Sequence, residues 1–318
     1  MKDDRPREGN RADELNRTEP AFSWFPGHML KASRELKQKA KLIDLVIHLL
    51  DSRAPLLTMN HNLLDFFPNK PILFLLGKAD QAEGKGLRAW KGYFQEHAGR
   101  DAVESVSIHD RHAIDRVMKK LQKLKSEIQK RRRLIRPLRI AVTGVPNVGK
   151  SSLINRLIRR RRAQTGPQPG VTRHQQWLPL GDGMELLDTP GIMLPRIPNE
   201  EAAQVLSLLG IIRDRILGPE KVALFLVRYL QIHRHDRFVA LFDRPPSAEL
   251  CCSEAAEDLL DRLAMDRGFL KTGGDTDHLR CAEWLLQQFR EGKLGKFCFT
   301  DVTDATVDNF FQSRQKGS

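Results

Sequence analysis

Gly144-Val145-Pro146-Asn147-Val148-Gly149-Lys150-Ser151 fits the pattern G-x-x-x-x-G-K-[S/T]. The apolar, β-prone run Leu138 to Thr143 precedes it, and Ser151 to Arg162 follows with helical character. A strand, this octet and a helix in that order make a phosphate-binding loop. The glycines let backbone N–H groups turn inward around a β-phosphate; Lys150 bridges β and γ oxygens, and the Ser151 hydroxyl can ligate Mg²⁺. The octet therefore predicts one βα unit of a nucleotide-binding α/β fold.

Downstream, His174 to Leu180 and Met184 to Leu187 flank Gly181-Asp182-Gly183, a hairpin signal, so one antiparallel pair is expected in an otherwise parallel sheet. Asp188-Thr189-Pro190-Gly191 follows the second strand. An Asp there can hold Mg²⁺ through water, and the Gly191 N–H can sense a γ-phosphate. Between the two motifs lies the turn-rich Pro169-Gly170-Val171-Thr172-Arg173. Thr172 either ligates Mg²⁺ when a γ-phosphate is present or caps a strand.

Upstream, Leu42 to Asp51 and Pro71 to Leu76 read as buried strands, the second closed by Gly77, and Asp101 to Ile108 as a third. Ile114 to Arg133 has helical spacing, with Val117, Leu121, Leu124 and Ile128 on one face, and Pro137 ends it. Gly77-Lys78-Ala79-Asp80 stands at a strand end. A carboxylate at Asp80 would accept both N1–H and N2–H₂ of guanine, which adenine does not offer, and the Lys78 stem can lie along the base. K-x-D alone is weak; the phosphate loop in the same chain gives it weight. In Ras-like GTPases the phosphate loop comes first and the guanine motif last; here the order is reversed, a circular permutation that joined termini tolerate.

Beyond Pro195, Glu200 to Leu217, Pro219 to His233, Glu254 to Arg267 and Asp277 to Arg290 all have helical periodicity. The expected fold is α/β: a circularly permuted Ras-like P-loop GTPase domain, mostly parallel with one antiparallel pair, over 21–195. A smaller all-helical domain over 196–310 follows it. Residues 1–20 are polar and mixed in charge, matching neither a secretory signal nor a transit peptide, and are expected to be a disordered tail; Gln312 to Ser318 reads as a frayed end.

The chain has 318 residues, 40% hydrophobic and 29% charged, enough for two globular domains at about 150 residues each. The best apolar stretch, Leu42 to Leu50, is short of a membrane span and broken by Asp44 and His48. Cys251, Cys252, Cys281 and Cys298 lack metal-ligand spacing and read as reduced thiols in a cytoplasmic protein. Its 53 Lys and Arg against 40 Asp and Glu give a net charge of +13, which fits a polyanion, nucleic acid ahead of a membrane surface. The densest run is Lys119 to Arg139, with Lys120, Lys123, Lys125, Lys130, Arg131, Arg132, Arg133 and Arg136 between its ends. It is either a phosphate-facing surface or a solvated helix face. Arg159 to Arg162 could tie RNA contact to the nucleotide state.

Trp24-Phe25-Pro26-Gly27-His28-Met29, Asp51-Ser52-Arg53-Ala54-Pro55, the permuted motif order and Gly-x-Pro-Asn-Val-Gly-Lys-Ser-Ser together resemble the YlqF/RbgA family of ribosome biogenesis GTPases. The likeness runs from about residue 22 to residue 300 and includes Gly292-Lys293-Leu294-Gly295-Lys296. It implies a helical domain that contacts ribosomal RNA and a role in late large-subunit assembly, with neither DNA nor a membrane as partner. Carried over, guanine recognition falls on Lys78 and Asp80 with the neighbouring Gly77 and Ala79. Phosphate binding falls on Asn147, Val148, Gly149, Lys150, Ser151 and Ser152, and γ-phosphate sensing on Asp188 and Gly191. The family usually has Asn where Gly77 stands, which puts nucleotide affinity in doubt more than base identity. Ser105-Val106-Ser107 matches the loop near guanine O6 only loosely, through Ser105.

Ras-like enzymes orient the attacking water with a Gln after Asp-x-x-Gly; here Ile192 stands there, and an apolar side chain cannot. The resemblance implies a GTPase that is slow alone and is completed by another group or by the ribosomal subunit. His28 either orients water, from a loop folded over the γ-phosphate, or contacts RNA or caps a helix. Asn147 either ligates K⁺ at the phosphate loop or only forms the turn. Trp24 and Phe25 read as packing anchors rather than a base-stacking platform. The expected function is a GTP-hydrolysing assembly factor that binds rRNA of the maturing large subunit and leaves on hydrolysis. A tRNA- or mRNA-directed GTPase chaperone and a nucleotide-sensing scaffold with negligible turnover are the alternatives.

Overall fold

The strands that the apolar runs predict assemble into one six-stranded sheet in a computed structural model, which describes residues 27–131, 136–165, 177–193, 196–242 and 255–302. The strands are β1 (Leu45–Asp51), β2 (Ile72–Gly77), β3 (Val103–Val106), β4 (Leu138–Thr143), β5 (Trp177–Gly181) and β6 (Met184–Asp188). Their order across the sheet is β3-β2-β1-β4-β6-β5. All neighbours are parallel except β5 and β6, the expected antiparallel pair.

β1 is buried along its whole length, as a central parallel strand covered on both faces must be. Because side chains alternate along a strand, each face takes its own set. Leu45, Ile47, Leu49, Ile140 and Val142 meet α5 (Arg111–Arg131) and α6 (Lys150–Thr165) through Val117, Leu121, Leu153 and Leu157. Val46, Leu50, Phe74 and Leu76 point the other way. They meet Leu36 of α1 (Gly27–Lys39), Leu63 of α3 (His61–Leu64), and Trp90 and Phe94 of α4 (Gly84–Ala98). The one-turn helix α2 (Pro55–Thr58) lies between β1 and α3.

The C-terminal part is helical: α7 (Glu200–Leu208), α8 (Pro219–His233), α9 (His235–Val239), α10 (Ala256–Asp266) and α11 (His278–Arg290). The run Glu200 to Leu217 is not one helix as its periodicity predicts. The backbone turns at Gly210, at φ +74°, and only a single 3₁₀ turn, Asp214–Ile216, follows. The cause is Arg290, whose guanidinium donates to the carbonyls of Ser207 and Leu208 and pairs with Asp214, so the end of α7 is capped from α11. The third strand is also shorter than Asp101 to Ile108, because residues 100–102 turn in a 3₁₀ helix before β3.

Apolar side chains of α7, α8 and α11, among them Leu206, Leu226 and Leu285, join the same buried cluster as β1 and β4. The helical region thus shares a buried core with the sheet, with α7 against α2, the helix that follows the carboxyl end of β1. Among the described residues no helix is long and apolar enough to cross a membrane. Cys281 is buried and burial pushes its thiol up to about 12; Cys251 and Cys252 lie outside the described residues.

Candidate nucleotide site

Parallel pairing sends the carboxyl ends of β1, β2, β4 and β6 to one edge, where α/β sheets bind ligands. The octet Gly144–Ser151 leaves β4 there and opens α6, whose first turn presents backbone N–H groups to an anion. Gly144 takes φ +148°, and a Cβ on it would lie 2.6 Å from the Leu49 carbonyl of β1. Only glycine fits between the two central strands at this point. Lys150 is buried, and its Nζ donates to the carbonyls of Val145 (2.8 Å) and Gly144 (3.2 Å), closing the loop on itself. Burial pulls its ammonium down to about 8 against the attraction of Asp188.

Asp188 ends β6, and its Oδ2 accepts from Ser151 Oγ at 3.0 Å. One hydroxyl and one carboxylate oxygen meet there at the mouth of the loop. That donor set suits Mg²⁺, which keeps several waters and takes its remaining oxygens from substrate phosphates. Among the described residues no larger cluster of His, Cys, Asp or Glu could hold a metal. The Thr189 hydroxyl is tied to the Val142 carbonyl of β4, so the Asp188–Gly191 turn is fixed to the same strand as the octet. A Cβ on Gly191 would fall 2.5 Å from Pro146 Cα and 3.1 Å from Lys150 Nζ, so the two motifs touch.

Ile192 is buried, and its N–H points to the Gly144 carbonyl at 3.4 Å. It brings no polar side chain to the site. Its carbonyl and that of Met193 accept from the buried Asn60 amide, a residue sequence reasoning missed. Asn60 also caps α3, which is the local signal that could have marked it.

Lys78, Ala79 and the exposed Asp80 follow β2 at the same edge. Lys78 has φ +54°, and its Nζ pairs with Asp51 Oδ2 at 3.1 Å. Asp51 is fully buried and also receives the Arg53 guanidinium in a two-point pair at 2.9 and 2.8 Å. Burial alone would raise the Asp51 carboxyl, but Arg53 and then Lys78 outweigh it and hold it well below the usual carboxylate range. Burial lowers the Lys78 ammonium, opposed by Asp51. In the sequence, Asp51 and Arg53 carry only the family resemblance. The apolar context of Leu49-Leu50-Asp51 was the sign that this acid is buried and needs cations. The Ala79 N–H donates to the Val106 carbonyl at 3.2 Å, which brings the loop after β3, with half-buried Ser105 at its base, beside Lys78 to Asp80.

Asn147 is exposed at φ +54°, and its Nδ2 donates to the Gly210 carbonyl at 2.8 Å, so the loop touches the helical region. Gly149, Ser151 and Ser152 remain open to solvent or half-buried, whereas Val148 is buried beneath the loop. Thr172, Trp24 and Phe25 lie outside the described residues, as does the side chain of His28, whose backbone opens α1. The Lys119 to Arg139 run is partly spent within the fold. Lys123 pairs with Asp101, Lys120 donates to the Arg100 carbonyl, Lys125 to the Asp182 carbonyl, and Arg136 holds Asp44. Lys119, Lys130 and Arg131 are exposed, while Arg132 and Arg133 fall outside the described residues.

Residues 139–250 match the family model of a 50S ribosome-binding GTPase, a match that starts at β4, where an unpermuted chain would begin. The chain is 36% identical over 297 residues to ribosome biogenesis GTPase A of Priestia megaterium, covering 89% of this chain and 98% of that one. It is 31% identical to its Thermotoga maritima counterpart over 92% and 99% of the two chains. The crystal structure of GNP-bound YlqF from T. maritima superposes with a TM-score of 0.60 at 26% identity, over 86% of this chain and 99% of that one. Fold and site define a circularly permuted P-loop GTPase, an enzyme that converts GTP to GDP and phosphate. Within that class the chain belongs to the ribosome biogenesis GTPase A (RbgA/YlqF) family.

Proposed function

We propose that this GTPase binds ribosomal RNA on the maturing large subunit in its GTP form, in the cytoplasm, and is released by hydrolysis. The observation that carries the reading is the meeting, at one sheet edge, of Gly144–Ser151, Asp188–Gly191 and Lys78–Asp80, with Asn147 reaching the helical region. The name of the matching family model, a 50S ribosome-binding GTPase, supports the choice of subunit. The division into a tail over 1–20, a GTPase domain over 21–195 and an RNA-contacting helical domain over 196–310 is part of the same proposal.

In this reading Asp80 accepts the two guanine donors and the Lys78 stem, stretched toward Asp51, lies along the base, with Ser105 near O6. The N–H groups of Asn147 to Ser152 cradle the phosphates, and Lys150 leaves the Val145 and Gly144 carbonyls to bridge β and γ oxygens. Ser151, Asp188 through water, and Thr172 would hold Mg²⁺, which neutralises charge on those oxygens. Gly191 N–H reports the γ-phosphate, His28 orients water, and Asn147 Oδ1 is the oxygen left for K⁺. Buried Ile192 gives water no partner, so turnover is slow until the ribosomal subunit orders the site.

Sedimentation with ribosomal particles tests the reading. With a nonhydrolysable GTP analogue the protein should travel with large subunits, and with GDP it should stay at the top of the gradient. Co-sedimentation with tRNA or mRNA instead would favour the RNA-chaperone reading.

A further inference from the structure

The Lys78–Asp80 loop is held from outside the GTPase motifs. Gly77, just before it, has no side chain to brace the loop, and a Cβ there would sit tightly, 3.0 Å from Leu49 Cδ1 and 3.2 Å from the Leu50 carbonyl. The bracing comes from the chain after α11. Phe297 N–H donates to the Gln81 carbonyl and the Phe297 carbonyl accepts from Glu83 N–H, both at 3.0 Å, forming a short parallel bridge around Ala82. The Gln81 amide reaches the Arg290 carbonyl at 3.5 Å. Trp90 Nε1 donates to the Thr300 carbonyl at 3.0 Å, and Phe299 N–H to the Arg53 carbonyl at 2.7 Å.

Residues 297–300 therefore lie as a strap across the segment that follows Asp80. Beneath them, Arg53 stacks its guanidinium on Phe289 at 5.3 Å while gripping Asp51, the acid that also pairs with Lys78. Phe297 and Phe299 stack with rings 5.6 Å apart and only 5° from parallel, and both face Phe289. The strap is thus rooted in the helical region and ends on the guanine loop. Ser52 Oγ, Gln81 Oε1 and Thr300 Oγ1 are buried along this seam with no hydrogen-bond partner among the described residues.

We infer that the strap 297–300, with Asp51 and Arg53 under it, positions the guanine loop and so sets how fast guanine nucleotide leaves. Gln81 and Trp90 act as positioning residues, since neither is needed to touch the nucleotide. The inference rests on the guanine reading of Lys78 and Asp80. It assigns the rate of GDP release to the helical region, so that whatever docks on that region can change nucleotide occupancy without touching the phosphate loop.

The test is stopped-flow release of a fluorescent GDP from the full chain, comparing wild type, the double variant Gln81→Ala/Trp90→Phe, Asp51→Asn and Asp80→Asn. Removing the amide and indole contacts should speed release by about fivefold or more, the worth of a hydrogen bond or two. Turnover at saturating GTP should stay within about twofold, so that KM moves and kcat does not. Asp51→Asn should act in the same direction; if it fails to fold, the double variant alone decides. Release from the double variant within about twofold of wild type would overturn the inference while leaving the guanine site standing. If Asp80→Asn also releases GDP at the wild-type rate, the guanine site itself is misplaced and both fall.

Discussion

The Asn147 side-chain amide donates to the Gly210 carbonyl at 2.8 Å, joining the phosphate loop to the turn that ends α7. The bond fixes which way the amide faces: Nδ2 is committed to Gly210, and Oδ1 is the atom a cation would meet. If that oxygen ligates K⁺, replacing K⁺ by Na⁺ should lower GTP turnover, by roughly tenfold if one ligand's worth of transition-state order is lost. Asn147→Ala should abolish the difference between the salts, and Asn147→Asp, which keeps an oxygen, should retain part of it. Steady-state phosphate release in matched K⁺ and Na⁺ buffers measures this; equal rates for wild type remove the ion from the mechanism.

Lys150 gives a pH signature. Its native pKa of about 8 lies below the 10.5 of a free lysine because it is buried, so between those values the unfolded chain binds more protons and stability rises with pH. Nucleotide works the other way. Phosphates beside Lys150 favour its charged form, so binding GTP above pH 8 draws in a proton, and affinity should be flat below pH 8 and fall above it. The slope cannot exceed about tenfold per pH unit for one proton. Calorimetry in buffers of different ionisation enthalpy should show proton uptake at pH 8.5 and little at pH 6.5. Equal uptake at both would mean Lys150 is not the group that meets phosphate.

Gly191 is a steric test of the same cluster. A methyl group there would lie 2.5 Å from Pro146 Cα and 2.7 Å from its nitrogen, both backbone atoms that cannot swing aside. Gly191→Ala should therefore push the Asp188 turn off the phosphate loop. The expected cost is about 1–3 kcal/mol in stability, with a loss of GTP affinity larger than that of GDP. Urea unfolding and equilibrium nucleotide binding check the two halves separately. A variant as stable as wild type and unchanged in the GTP-to-GDP preference would take Gly191 out of γ-phosphate sensing.

How far these sites were legible depended on range. The octet, the Gly181-Asp182-Gly183 hairpin and the helix Pro219–His233 are local patterns, set by spacing of glycine and apolar residues, and the fold follows them closely. Long-range partners were not legible. Nothing near Asp51 in the chain says that Lys78 will reach it, nor does Glu200 to Leu217 reveal that Arg290 will cap a helix at Leu208. The basic run shows the same limit from the other side: its charge is visible in sequence, but the acids that neutralise Lys123 and Arg136 come from Asp101 and Asp44.

In the proposed site, base choice rests on Asp80. Its carboxylate would accept two guanine donors, and hydrogen bonds to a charged group are worth about 1.5–3 kcal/mol each. Asp80→Asn should lower GTP affinity by at least about tenfold and raise XTP affinity, because the 2-oxo group of xanthine accepts from the new amide. Competition between the two nucleotides on the variant decides. Retention of full GTP preference would move the guanine site away from Gly77-Lys78-Ala79-Asp80.

The last expectation joins nucleotide and ribosome. With Ile192 buried and no Gln after Gly191, the position that orients water in Ras-like enzymes offers it no polar partner, so in the proposed function hydrolysis gains its order from what the protein binds. The proposed handle is RNA phosphate, which a net charge of +13 and the exposed Lys119, Lys130 and Arg131, distinct from the ion-paired Lys123 and Arg136, would suit. Large-subunit particles should therefore raise GTP turnover and small subunits should not. Because each phosphate contact releases a counterion, the stimulation should fall steeply as salt rises. Changing Arg131, Arg132 and Arg133 to Glu should weaken docking and flatten that salt dependence, while leaving nucleotide affinity of the free protein unchanged, since none is among the residues proposed to bind nucleotide. Turnover measured with purified large and small subunits across a salt series is the deciding assay. Equal stimulation by both, or by neither, would defeat the large-subunit reading and favour a GTPase that acts on another RNA.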